Sequence, residues 1–213
     1  MIDLQPIYDV FSVYKRPRKI DGCACCLDLK VPKNLTTKDL RNLDTDDLGR
    51  YSSSVFLEVD GTDFRYFLPR IFDLLIQDYF FTDAEIVLQK LSLADWRTWP
   101  KQEQQVIDTF CLNYFDVILE KLEEEDPWID PDTWLCAVAR AQIDLKPYLT
   151  LLENDLEAMC DFHQENHESL AHGKLASAFW DDAPDAMQEV MSWIQQKKIQ
   201  QQIMDTYVKR YES

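Results

Sequence analysis

Three of the six cysteines stand within four residues, Cys23-Ala24-Cys25-Cys26, directly after the turn-forming pair Asp21-Gly22. Cys23 and Cys26 have the C-x-x-C spacing that turns two thiolates toward one metal ion or sets a thiol pair for redox exchange. The three histidines, His163, His167 and His172, fall within ten residues, and Cys160-Asp161-Phe162-His163 gives a C-x-x-H spacing on an expected helix. Cys23, Cys26, Cys160 and His163 therefore make a candidate ligand set for one zinc ion, with His167 as the alternative nitrogen donor. The thiolate-rich shell would make that ion structural rather than catalytic. More than 130 residues separate the two halves, a spacing found in no compact zinc module. Reduced thiols packed at a loop, beside histidines on a solvated turn, are the competing reading.

Other chemistries fail on detail. In His163-Gln164-Glu165-Asn166-His167 the histidines share a helix face, but a zinc protease needs its glutamate directly after the first histidine. Glu165 is one position late, turned by ~100° about the helix. Ser52-Ser53-Ser54 lacks the G-x-S-x-G elbow of a serine nucleophile. A thiol enzyme using Cys25 with His163 stays open. With 39 acidic residues, no single carboxylate pair stands out as general acid and base.

Composition bounds the rest. A chain of 213 residues is expected to form a single helical domain spanning 1–213, and 46% apolar with 29% charged residues suits a soluble globule. No apolar run approaches the ~20 residues of a membrane span. Met1-Ile2-Asp3-Leu4-Gln5-Pro6 carries no basic segment leading into an apolar core, so a cytoplasmic location with reduced thiols is expected. Only four glycines occur, and no two are close enough for a phosphate-binding loop. The net charge of −17 repels nucleic acid and anionic membrane surfaces and favours a basic protein partner. Solubility alone is the plainer explanation of that charge.

The elements that must position these groups read as helices. Leu4, Ile7, Phe11 and Tyr14 form a helical stripe over residues 3–15, and Thr37 and Thr45 precede acid-rich helix starts. Residues 54–59 read as helix rather than the first strand of a hairpin, since no alternating partner run follows. Thr62-Asp63 leads a helical run from 64 to 75 that contains Pro69, and Thr82-Asp83 leads another through Leu91. Trp99-Pro100 opens the clearest helix, with Ile107, Cys111, Tyr114, Ile118 and Leu122 at helical spacing. Further helices are expected after Asp130-Pro131-Asp132, from Pro147 through Phe162, after Pro184, and over 199–210. The fold class is all-α, an irregular multi-helix array or orthogonal bundle of roughly eight to ten helices.

One acidic run opposes local helix physics. Glu120, Glu123, Glu124, Glu125 and Asp126 fall at the C-terminal end of the central helix, where each negative charge costs ~0.3–1 kcal/mol against the helix dipole. Asp130 and Asp132 continue the cluster past Trp128, giving an acidic surface around an aromatic residue that suits the lysines and arginines of a partner. A solvated helix end is the competing reading. Asp126, Asp130 and Asp132 lack the glycine and closing glutamate of a calcium loop.

Four segments together resemble a family of uncharacterised bacterial proteins: Gly22-Cys23-Ala24-Cys25-Cys26; Asp63-Phe64-Arg65-Tyr66-Phe67-Leu68-Pro69-Arg70-Ile71; Trp96-Arg97-Thr98-Trp99-Pro100 with Glu103; and Phe179-Trp180-Asp181-Asp182-Ala183-Pro184 with Trp193. The resemblance implies a bacterial cytoplasmic source and one unit containing all four segments, but no activity. The functional expectation is thus a non-enzymatic acidic helical protein that binds a cationic protein, as an inhibitor or immunity protein does. The alternative is a thiol- or metal-dependent enzyme built on the Cys23-Cys26 knot and the His163 to His172 segment.

Overall fold

The structure is a computed structural model that describes residues 2–20, 30–53, 61–77, 82–120 and 129–212. The Cys23-Cys26 knot, the 54–59 segment, Leu122, residues 123–126 and Trp128 lie outside the described residues. Among those described, the regular structure is helical, with no strand, as the caps and periodicities predict. The chain divides into two compact units, Met1–Cys111 and Leu112–Ser213.

The first unit contains α1 (Gln5–Phe11), α2 (Lys30–Thr37), α3 (Thr45–Ser53), α4 (Thr62–Leu75), α5 (Ala84–Leu93) and the start of α6 (Lys101–Glu120). α4 is its core helix. It buries Phe64, Phe67, Leu68, Ile71, Phe72 and Leu75 completely, each worth about 1.5–3 kcal/mol of transfer free energy. Phe72 stacks on Phe110 of α6, ring centroids 4.2 Å apart and nearly parallel. Pro69 sits inside α4 without ending it. Ahead of that helix, Gly61 adopts a left-handed φ of 64°, and a Cβ there would lie 3.0 Å from the Cβ of Ala94. Glycine is required by both conformation and space. α1 packs on α4, α2 on α3, and α3 on α5.

Two helix starts differ from expectation. Thr37 closes α2 instead of capping a helix, and residues 40–42 form a single 3₁₀ turn. α3 is started by Asp44, whose Oδ1 accepts from the Asp47 amide at 3.0 Å. This does the capping work expected of Thr45, because a side-chain carboxylate outcompetes a hydroxyl for exposed amides.

The second unit contains the rest of α6, then α7 (Pro131–Arg140), α8 (Lys146–Asn154), α9 (Leu156–Ala171), α10 (Pro184–Ile194) and α11 (Lys197–Glu212). Asp130 caps α7 by accepting from the Thr133 amide at 2.7 Å, with Pro131 in the first turn, as the sequence predicts. The single helix expected from Pro147 through Phe162 is instead broken at Asp155. Its carboxylate accepts from the Ala158 amide at 3.0 Å and begins a new helix. Trp134, Tyr148, Phe162 and Trp180 are buried at the centre of this unit, with Trp134 edge-on to Tyr114 at 4.8 Å. α9 packs along α8 and α11, and the 3₁₀ turn Ala178–Asp182 lies against α7 and α10.

Candidate acidic site in the second unit

Asp132 stands in the first turn of α7, where the free amides of the helix start favour a negative charge. It is 4% exposed. Its Oδ2 accepts from the Ser177 amide at 2.8 Å and its Oδ1 from the indole Nε1 of Trp180 at 3.0 Å. The side chain of Asn166 donates to it as well. Asn166, fully buried on α9, gives a second N–H to the Phe162 carbonyl at 3.0 Å and accepts from the Ala176 amide at 2.7 Å. The carboxylate thereby ties α7, α9 and the 176–180 segment together. Burial pushes the Asp132 carboxyl up to about 6, against the opposing pull of its hydrogen bonds.

Glu165, one position before Asn166 on α9, is exposed at the helix surface, within reach of the charges of Asp130, Asp132 and Asp161. Burial and the charges of Asp130, Asp132 and Asp161 push its carboxyl up to about 7. Four carboxyl groups thus share one region, and no cation among the described residues pairs with Glu165. The nearby basic residues are engaged elsewhere. Arg210 binds Glu157 at 2.5 Å and Asp161 at 2.7 Å, and Lys198 pairs with Glu153.

The charge of the chain is distributed unevenly. Met1–Cys111 holds 18 acidic and 14 basic residues, a net of −4, whereas Leu112–Ser213 holds 21 and 8, a net of −13. Most of the field that would steer a cationic partner therefore originates in the second unit.

The residues singled out in the sequence divide between surface and interior. Glu120 ends α6 and is exposed, and Asp130 is half-buried at the start of α7. Glu123, Glu124, Glu125, Asp126 and Trp128 lie outside the described residues. Asp132, grouped with the surface acids in the sequence, is an interior residue whose carboxylate is held by Ser177, Trp180 and Asn166, because α7 packs its first turn inward. Sequence reasoning missed Asp161 and Glu165 as members of this acidic region. Their i, i+4 spacing on α9, one helix face, was the available signal.

The candidate zinc ligands that are described both engage α11. Cys160 is buried and directs its Sγ at the Ile203 carbonyl, 3.7 Å away. Burial raises its thiol pKa, the reverse of what a metal ligand needs. His163 Nδ1 lies 3.3 Å from the Tyr207 hydroxyl, which in turn donates to the Cys160 carbonyl at 3.0 Å. Burial, with some help from His167, lowers the His163 pKa. Cys23 and Cys26 lie outside the described residues, among which no three His, Cys, Asp or Glu side chains converge as a metal site.

The fold and site define an all-helical chain with a concentrated acidic region in which Glu165 has no basic partner among the described residues, and no helix among those residues is long and apolar enough to cross a membrane. No family model, curated protein or solved structure matches the chain, so its own residues carry the functional reading.

Proposed function

We propose that this protein acts without catalysis, binding a cationic protein partner through the acidic surface of Leu112–Ser213, in the manner of an inhibitor or immunity protein. The observation that carries the proposal is Glu165, whose carboxyl is raised to about 7 by burial and by three neighbouring acids and has no basic partner among the described residues. A lysine or arginine delivered from outside would relieve that repulsion, so the site gains more from an added cation than an isolated surface acid does. Asp130 belongs to the same acidic region, and Glu120, Glu123, Glu124 and Glu125 precede it in sequence.

The test is quantitative co-purification from the source cells with the tagged full chain, wild type against a Glu120→Gln, Glu123→Gln, Glu124→Gln, Glu125→Gln, Glu165→Gln variant. A basic protein should be retained by the wild type at low salt, fall away as salt rises, and be retained at least about tenfold less by the variant. A partner held equally by both proteins and at all salt concentrations would overturn the proposal.

A further inference from the structure

The first unit contains a cleft of about 450 Å³ lined by four aromatic rings and by two charged residues, Arg41 and Asp39, of which Asp39 is paired with Arg16. Tyr8, Phe11, Tyr14 and Tyr66 supply the rings, and Arg41 and Asn42 stand at the edge. Phe11 is buried at 2% exposure and forms a fixed apolar surface, whereas the three tyrosines are half-buried and line the cleft. Each hydroxyl is fastened. Tyr8 donates to Asp73 at 3.0 Å, Tyr14 donates to Glu103 at 2.6 Å and accepts from Arg65 at 2.9 Å, and Tyr66 accepts from Arg16 at 3.5 Å. The aromatic walls are therefore preorganised rather than free to collapse into the space.

The cations around the cleft are not equivalent. Arg16 is neutralised by Asp39 at 2.5 Å, and Arg70 by Asp73 at 2.6 Å. Arg41 is different. Its guanidinium carbon lies over the Tyr8 ring, 3.7 Å from the centroid, and the group gives one N–H to Gln5 Oε1 at 3.1 Å. No carboxylate among the described residues pairs with it. Arg41 is exposed, yet it is held in orientation by the ring and the amide with donors to spare. A stacked guanidinium presents its N–H edge in the geometry that receives a carboxylate through two parallel hydrogen bonds.

We infer that this cleft is a binding site for a small planar aromatic molecule bearing one carboxylate. The ring lies among Tyr8, Tyr14 and Tyr66 and the carboxylate meets Arg41. The volume falls within the range of small-molecule sites and accommodates one or two fused rings. Ring packing among the tyrosines supplies the offset and edge-on contacts that aromatic groups prefer. A single charge is favoured because one uncompensated guanidinium faces it, in a chain whose overall field of −17 opposes each further negative charge. The inference is independent of the acidic surface in the other unit.

Isothermal titration and ligand-observed NMR on the full chain, with indole-3-acetate and 4-hydroxyphenylacetate as probes and their neutral amides as controls, test it. Either carboxylate should bind saturably at about 5 mM or below, within reach of a weak millimolar site, and its amide about tenfold more weakly. Arg41→Gln should abolish that preference for charge and Arg41→Lys should restore part of it, with unfolding midpoints unchanged because Arg41 is exposed. Tyr66→Ala should weaken the carboxylate and the amide alike. The inference is overturned if neither carboxylate binds, if each amide binds as well as its acid, or if the folded Arg41→Gln protein keeps wild-type affinity.

Discussion

The indole Nε1 of Trp180 reaches Asp132 Oδ1 at 3.0 Å, a hydrogen bond between two side chains 48 positions apart and both almost wholly removed from water. It accounts for a tryptophan in a short 3₁₀ turn, where a phenylalanine would fill the same space without supplying a donor. Replacing Trp180 by Phe should lower stability at pH 7.5 by about 1–3 kcal/mol, the cost of leaving a buried carboxylate short of one donor. Urea unfolding of the two proteins measures it. A loss no larger than that of an exposed substitution would show that the indole acts only by filling space.

Asp132 and Glu165 also set a pH dependence of definite sign. Both carboxyls are raised in the folded chain, to about 6 and about 7, above their ordinary values of 3.8 and 4.5. The stabilisation they contribute is present below about pH 4 and is lost as the pH rises through those folded values. For the buried Asp132 the difference corresponds to about 3 kcal/mol. Glu165, open to solvent on one side, contributes less. Asp132→Asn should flatten the fall in stability between pH 4 and 6, and Glu165→Gln the part between 4.5 and 7. Unfolding curves with the same slope in wild type and variants would contradict both assignments.

Gly61 and Gly173 provide a matched comparison. Both have positive φ, 64° and 72°, but a Cβ at Gly61 would meet Ala94 at 3.0 Å whereas one at Gly173 would meet nothing within 4 Å. Gly173→Ala should cost only the left-handed strain, about 1–2 kcal/mol. Gly61→Ala should exceed it, because close packing against a neighbouring Cβ adds to the same strain. Equal thermal midpoints for the two variants would count against the packing at Gly61.

Thiol chemistry separates the cysteines. Cys111, Cys136 and Cys160 are fully buried, and burial raises the pKa of Cys111 and Cys160. Alkylation followed by mass spectrometry should find these three protected in the native protein and labelled only on unfolding. The Cys23-Cys25-Cys26 knot is scored in the same experiment. Zinc bound there would leave freshly purified protein with close to one equivalent of metal, and chelator would add labelled thiols. Metal-free protein with labelling unchanged by chelator would assign these cysteines to packing or redox chemistry.

The helical class and most element starts were legible because the signals are local. Asp130-Pro131 announces α7, Thr62-Asp63 leads α4, and Ile107, Cys111, Tyr114 and Ile118 keep one face of α6 buried. The errors at Thr37, Asp44 and Asp155 share a cause. Several residues in a row can cap a helix, and the packing of the neighbouring elements selects among them. The acidic region was half legible. Glu120 stands out by its charge against the helix dipole and Asp130 by its capping place before Pro131, but whether an acid faces solvent or core is decided by partners distant in sequence. Asp132 turns inward because Ser177 and Trp180 wait there. The tyrosine cleft gave no sequence signal, since Tyr8, Tyr14 and Tyr66 converge only through the packing of α1 on α4.

The carboxylate of Asp132 draws its donors from Asn166, Ser177 and Trp180, all more than thirty positions downstream. In kinetic terms this makes it a late clasp. Chain entropy disfavours closing loops of that length before α7 and α9 have docked. The interactions around Asp132 are therefore expected to form after α7 and α9 have docked, giving low φ-values for Asp132→Asn. On that expectation, loosening the clasp should speed unfolding of the second unit and leave its folding rate nearly untouched.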